Sequence, residues 1–170
     1  MKFSTSRTAR VFTFAMIALV SLSTSYVANA TTQSIGKAKV SATVLPTVST
    51  HAGVAPVIGK PAGNPPAALV KRDIIVGKGK AAVSSSTVTA HYVLMSWKTG
   101  KVLQSSWSSG PFTAPLSGVI VGWQQGIPGM KVGGRRLLVI PPALAYGAAG
   151  GGPVGPNETL VFVVDLLGVK

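Results

Sequence analysis

Apolar and polar positions alternate most clearly over Thr159–Val169, where Leu160, Phe162, Val164 and Leu166 take one parity and Val161, Val163 and Asp165 the other. That period of two is the mark of a β-strand. A second strand is expected over Thr87–Ser96, rich in β-branched and aromatic residues and bounded by a serine run and by Lys98-Thr99-Gly100. This turn would make a hairpin with a strand beginning at Lys101. Shorter strands are expected over Leu69–Val76, Phe112–Leu116 and Arg135–Ile140. Only Val119–Met130, with Trp123 at its centre, suits a helix, and Gly122, Gly126 and Pro128-Gly129 keep it short. A long Pro- and Gly-rich loop, Pro141–Glu158, joins the last two strands. One helix among several strands is an α+β layout.

The pattern before Ala68 is different. Residues 31–68 are rich in Ala, Thr, Ser, Val, Gly and Pro, and Pro46, Pro56, Pro61, Pro65 and Pro66 interrupt any regular element. Such a stretch reads as an extended tether or a loosely docked arm. Residues 1–30 read as an export leader: Lys2, Arg7 and Arg10 precede the apolar run Val11–Val20, and Ala28-Asn29-Ala30 offers a small-x-small cleavage site. The run is too short for a bilayer core, which needs about twenty residues. Cleavage would leave Thr31 first. The domain proper is then residues 69–170, and the protein is expected outside the cell or in its envelope.

Composition narrows the chemistry. There is no cysteine, which removes disulfides, thiolate catalysis and soft metal sites. The formal charge is +13, and loss of the leader, with three of the sixteen basic residues and no acid, leaves +10. The basic residues are scattered, only Lys71-Arg72 and Arg135-Arg136 being adjacent, and no nucleic-acid motif accompanies them. A weak attraction to anionic envelope surfaces is expected, and no nucleic acid. Asp73, Glu158 and Asp165 are the only acids, too dispersed for a paired-carboxylate or metal site. His91 neighbours Tyr92 on one strand, so the two side chains take opposite faces and His91 is expected to be structural.

Aromatic residues are few, so their positions carry information. Trp123 follows Gly122, where the missing side chain lets something approach the indole closely. Tyr146 sits in the long loop with a hydroxyl that wants a partner. Trp97 and Trp107 flank the hairpin region, where edge packing and exposed contacts for client chains are equally open readings.

The order and spacing of several stretches carry a resemblance: His91-Tyr92, Gly100–Ser106, Pro111-Phe112, Val119–Gly126, Met130–Gly133, Ala145-Tyr146-Gly147 and Thr159–Phe162. From about Leu69 to Lys170 the chain resembles the FKBP family of peptidyl-prolyl cis-trans isomerases. The resemblance implies a twisted antiparallel sheet of about five strands wrapped on one short helix. It implies a proline pocket floored by Trp123 and walled by Tyr92, Leu103, Phe112, Val119, Ile120, Tyr146, Val154 and Phe162. The N–H of Ile120 and the hydroxyl of Tyr146 would hold peptide carbonyls, with Gln104 on the polar rim. No cofactor or metal is implied. Proline-containing polypeptide clients, and ligands of the macrolide immunosuppressant type, would be partners of what is expected to be a monomer.

Departures from the family pattern bear on rate. Leu103-Gln104 stand where Phe-Asp is usual, Ala114 where many members have Phe, Ala143 where Asp is common and Leu144 where Tyr is common. Lost wall area predicts a wider cavity and slower turnover. A module of the same fold that grips proline segments without speeding rotation is the second reading.

Overall fold

The computed structural model describes residues 42–170. The expected leader and the first part of the tether, residues 31–41, lie outside the described residues. Six antiparallel strands form one sheet: β1 (Val70–Ile75), β2 (Thr87–Ser96), β3 (Val102–Ser105), β4 (Phe112–Pro115), β5 (Arg135–Ile140) and β6 (Leu160–Val169). Their order is β1-β5-β6-β2, with β3 and β4 sharing the outer edge of β2. Among the described residues there are six strands and not about five because that edge is interrupted. β4 pairs with the first half of β2, from Thr87↔Pro115 to Ala90↔Phe112, and β3 with its second half, through Val93↔Ser105 and Leu94↔Gln104. The loop between them is pinned by the Ser106 hydroxyl, which accepts the Tyr92 N–H at 2.9 Å.

The helix, α1, is shorter than its apolar pattern suggested and spans Val121–Gly126. Two glycines let it lie flush on β5. A Cβ at Gly122 would come within 2.4 Å of Ile140 Cγ2, and one at Gly126 within 2.8 Å of Leu138 Cδ2. These positions, four apart, share one helix face. Gly122 therefore serves the approach of Ile140, and the expectation that it opens the indole to a ligand is corrected. Arg136 ties the far end of α1 down, donating to the Gly126 carbonyl at 2.8 Å while pairing with Asp73 at 2.6 Å. A cation is favoured there because the last carbonyls of a helix lack partners. Gly122→Ala is expected to destabilise the domain by about 1–3 kcal/mol, as overpacking does, because Ile140 is fully buried and cannot give way. Urea denaturation measures it; a change near zero would mean the helix can lift off the sheet at little cost.

The two parities of β2, β5 and β6 face two different covers. Leu94, Leu138, Ile140, Leu160, Phe162 and Val164 join Trp123 and Ile127 in a core under the helix. Met95, Trp97, Leu137, Val139, Val161 and Val163 form a second cluster on the opposite face. What packs on that second cluster includes Leu45, Val48 and Ile58. Residues 42–68 are thus no extended tether. They fold back through isolated bridges at Val44↔Ala62 and Val48↔Ile58, and Pro46, Pro56 and Pro61 are buried.

Arg135 locks this arm in place. Its guanidinium is fully buried and grips Asp165 with two bonds of 2.6 and 2.7 Å. The same group donates to the Ser49 carbonyl at 2.9 Å and the Val54 carbonyl at 2.7 Å. Trp97 adds a bond from its indole N–H to the Gly63 carbonyl at 3.2 Å and is only 5% exposed. Of the two readings of Trp97, packing holds and client contact does not.

Candidate functional site

Four aromatic side chains converge between α1 and the sheet because strand parity and the helix aim them inward. Tyr92 lies on β2, Phe112 opens β4, Phe162 lies on β6 and Trp123 lies in the first turn of α1. Tyr92, Phe112 and Phe162 stand nearly edge-on to the Trp123 indole, at 5.8, 6.1 and 5.5 Å between ring centroids and interplanar angles of 86°, 89° and 83°. Edge-to-face packing satisfies the ring quadrupoles and holds each ring in one orientation. Tyr92 and Phe112 repeat it at 5.9 Å and 86°.

Above this box opens a cleft of about 430 Å³. It is lined by the four aromatic residues, by Val119 and Ile120, and by Tyr146 and Gln104 at its polar side. None of the lining residues is charged. The indole is 3% exposed and its N–H, buried, finds no acceptor among the described residues. Phe112 at 37% and Tyr146 at 40% are open to solvent at the mouth. Burial first, and then the neighbouring Tyr146, push the Tyr92 phenol above its ordinary value, so it stays a neutral donor at physiological pH.

The residues named from sequence divide as follows. Tyr92, Gln104, Phe112, Val119, Ile120, Trp123, Tyr146 and Phe162 all line the cleft. Leu103 is not among the lining residues, although it packs part-buried on the same core. Nor is Val154: it is 5% exposed in that core and exchanges backbone bonds of 2.9 and 3.0 Å with Gly151. The tight Gly150–Gly155 turn draws its side chain inward and away from the mouth. Ile120 precedes α1, and its N–H has no acceptor among the described residues, as the first N–H groups of a helix lack intrahelical partners.

Three contributors escaped the sequence reading. Leu94 lines the cleft, and its spacing of two from Tyr92 on one strand was the signal for it. Gly118 lines it at the end of the 3-10 turn Leu116–Gly118. Gly151 acts through Tyr146, because a Cβ there would stand 2.9 Å from the ring Cδ1. On the other face of β2, His91 stacks on Trp107 at 4.2 Å and 16° and shares a 3.0 Å bond with Ser106, the structural role expected of it.

An uncharged aromatic box with a backbone N–H and a phenol at its rim suits a five-membered ring joined to a peptide carbonyl. Known proteins match on the same stretch. The family model for FKBP-type peptidyl-prolyl cis-trans isomerases matches residues 78–167, more than half of the chain. A probable FK506-binding protein of Corynebacterium glutamicum is 50% identical over 113 residues, covering 66% of this chain and 96% of that protein. An FK506-binding protein of Streptomyces anulatus is 48% identical over 119 residues, covering 67% and 96%. Among solved structures, FkpA from Escherichia coli superposes with a TM-score of 0.57 at 45% identity over 60% of this chain and 48% of its own. AtFKBP13 gives 0.56 at 37% identity over 62% and 96%. The chain belongs to the FKBP-type peptidyl-prolyl cis-trans isomerase family, with that family's fold and activity.

Proposed function

We propose that the chain speeds rotation about Xaa-Pro bonds in exported polypeptides, and that the Trp123 cleft performs it. The uncharged aromatic box carries this reading. Twisting a peptide bond costs about 18–20 kcal/mol because it breaks amide resonance. The twisted amide is less dipolar than the planar one, so an apolar, dehydrated cleft favours it, and catalysis is differential binding of that form. The prolyl ring lies on the Trp123 indole between Tyr92, Phe112 and Phe162. The Ile120 N–H and the Tyr146 hydroxyl hold the flanking carbonyls while the residue before proline swings. Uncatalysed isomerisation takes tens to hundreds of seconds and can limit folding.

An extracellular or envelope setting is supported by the basic start, apolar run and Ala28-Asn29-Ala30 of the leader. Secreted protein beginning at Thr31 is the outcome that tests it. The printed names of the two bacterial relatives support a macrolide of the FK506 type as a ligand of the same cleft. The net charge supports weak adhesion to anionic envelope polymers, which rising salt should release.

The enzymatic reading is tested by NMR exchange or a protease-coupled assay on Xaa-Pro peptides. No acceleration by folded protein would leave only a binding module. Leu103→Phe with Gln104→Asp is expected to raise kcat/KM several-fold, about 1 kcal/mol of transition-state stabilisation, because a ring at 103 reaches toward a wall that the shorter Leu103 does not line and a carboxylate at 104 charges the rim. A pure binding module would show no gain. The cleft lining holds no His, Lys, Arg, Asp or Glu, so kcat/KM should be flat from about pH 6 to pH 9. With Tyr92 raised in the folded state, its stabilising part is complete below the unfolded value of about 10 and lost as pH rises through the folded value. A bell-shaped profile centred near neutrality would contradict this mechanism.

A further inference from the structure

Gln124 follows the Trp123 indole in α1, yet its side chain reaches back out of the helix. Its amide Nε2 donates to the Val119 carbonyl at 2.8 Å. Only the NH2 end of the amide can face that oxygen, because a carbonyl accepts and does not donate. Among the described residues this is the one hydrogen bond that the Val119 carbonyl makes.

The Val119 carbonyl and the Ile120 N–H belong to one peptide group, and in a planar trans peptide they point in opposite directions. Fixing the oxygen therefore fixes where the hydrogen is aimed. Both residues of that peptide line the cleft, and the Ile120 N–H meets no acceptor among the described residues. Without the amide the plane could turn. Opposite changes in Val119 ψ, at 173°, and Ile120 φ, at −57°, rotate it while both side chains stay nearly in place. The neighbouring anchors hold other planes. The Val119 N–H reaches the Leu116 carbonyl at 3.5 Å, and the Ile120 carbonyl accepts the Trp123 and Gln124 N–H groups at 2.9 and 3.2 Å.

We infer that Gln124 is a positioning residue for isomerisation: its side-chain amide fixes the peptide plane that presents the Ile120 N–H to the prolyl carbonyl of the client. The inference rests on the isomerase reading of the cleft. Gln124 is not among the residues that line the cleft, so it acts through Ile120 and not on the substrate. The carbonyl concerned is the one that follows the ring. The ring is clamped while the residue before it swings, and a fixed backbone donor suits the carbonyl that stays with the ring. Donation to the Val119 oxygen also polarises the peptide group and makes its N–H a stronger donor. A carboxylate at this position could not serve, since it only accepts hydrogen bonds and would repel the Val119 oxygen.

The test uses the full-length chain and two neutral peptides, acetyl-Ala-Leu-Pro methyl ester and its prolinol methyl ether, which differ only in C=O or CH2 after the ring. NMR exchange should give the parent protein about a fivefold higher kcat/KM on the ester, the worth of one neutral hydrogen bond. Gln124→Met keeps the side-chain length and removes the donor. It should lower kcat/KM on the ester about fivefold and leave the ether within about twofold of the parent, a non-additivity that marks two changes to one interaction. Gln124→Glu, of the same shape, should do likewise, so the test does not depend on one variant folding. The Ile120 amide resonance should move when the ester binds the parent, and much less in either variant or with the ether.

A loss shared equally by ester and ether would assign Gln124 to the general packing of α1 and overturn the inference. An undiminished rate on the ester in both variants would overturn it too, as would a parent protein that does not prefer the ester. Acceleration of neither peptide by the parent would fault the isomerase reading instead. Affinity would then decide the role of Gln124. The ester should bind the parent about fivefold more tightly than the ether, and bind Gln124→Met no more tightly than the ether. Equal ratios in the two proteins would overturn the inference.

Discussion

Trp123→Leu is expected to lower kcat/KM on Xaa-Pro peptides by about tenfold or more while the domain stays folded. All three other rings of the box stand nearly edge-on to the indole, at 5.5 to 6.1 Å, whereas Tyr92, which also meets three rings, meets Phe162 only at a tilt of 53°. A leucine keeps apolar volume but offers no flat face to a pyrrolidine ring and no partner to the three ring edges. Each aromatic contact of this kind is worth roughly 0.5–1.5 kcal/mol beyond buried area, and about 1.4 kcal/mol in the transition state is a factor of ten in rate. Alanine is the poorer probe. It would leave a cavity beneath α1 costing about 3–5 kcal/mol, and unfolding would then imitate loss of catalysis. Rate and urea midpoint are therefore measured on the same Trp123→Leu protein. A folded variant with undiminished kcat/KM would show that the prolyl ring does not sit on residue 123.

Most of the sheet was legible because its strands are written in alternation. Thr87–Ser96 and Arg135–Ile140 fall where the pattern put them, bounded by Ser, Gly and Pro residues that cannot continue a strand. The aromatic box was legible because rings are scarce and a known family spaces them in the same way. Two features were not legible as read. The helix was overextended, since its apolar run continues through Ile127 and Met130, which are buried in the turn that follows α1. Local pattern cannot distinguish a helix from a buried turn that uses the same residues.

The choice between tether and docked arm was left open by the sequence for a related reason. Its composition suits an open chain, and five prolines forbid a regular element, yet docking needs only a few apolar side chains and some captured carbonyls. The signal lay in the strands and not in the arm. Val139, Val161 and Val163 are apolar on the parity opposite the helix core, and a sheet apolar on both faces requires two covers. The misplaced Val154 has the same origin. A residue in a Gly-rich turn is aimed by backbone geometry, here the bridge to Gly151, that spacing alone does not encode.

Arg135→Met should cost about 3–5 kcal/mol of stability, the penalty for removing one partner of a buried ion pair. Methionine roughly preserves the volume, so the loss is electrostatic. Asp165, only 8% exposed, would be left without its cation, and the Ser49 and Val54 carbonyls without their donor. Removing the carboxylate as well, in Arg135→Met with Asp165→Leu, should recover most of that loss, because a buried pair replaced by apolar residues is often near neutral. Recovery should fall short by about 1–3 kcal/mol, the cost of the two unmet carbonyls. That shortfall is the separate signature of arm docking, measurable as the difference between the double variant and the parent in urea denaturation. Arg135 and Trp123 belong to opposite faces of the sheet, so the folded fraction of the Arg135→Met variant and of the double variant should keep the parental kcat/KM on a tetrapeptide. Full recovery by the double variant would mean that the guanidinium serves Asp165 alone and that the arm is held by its apolar residues.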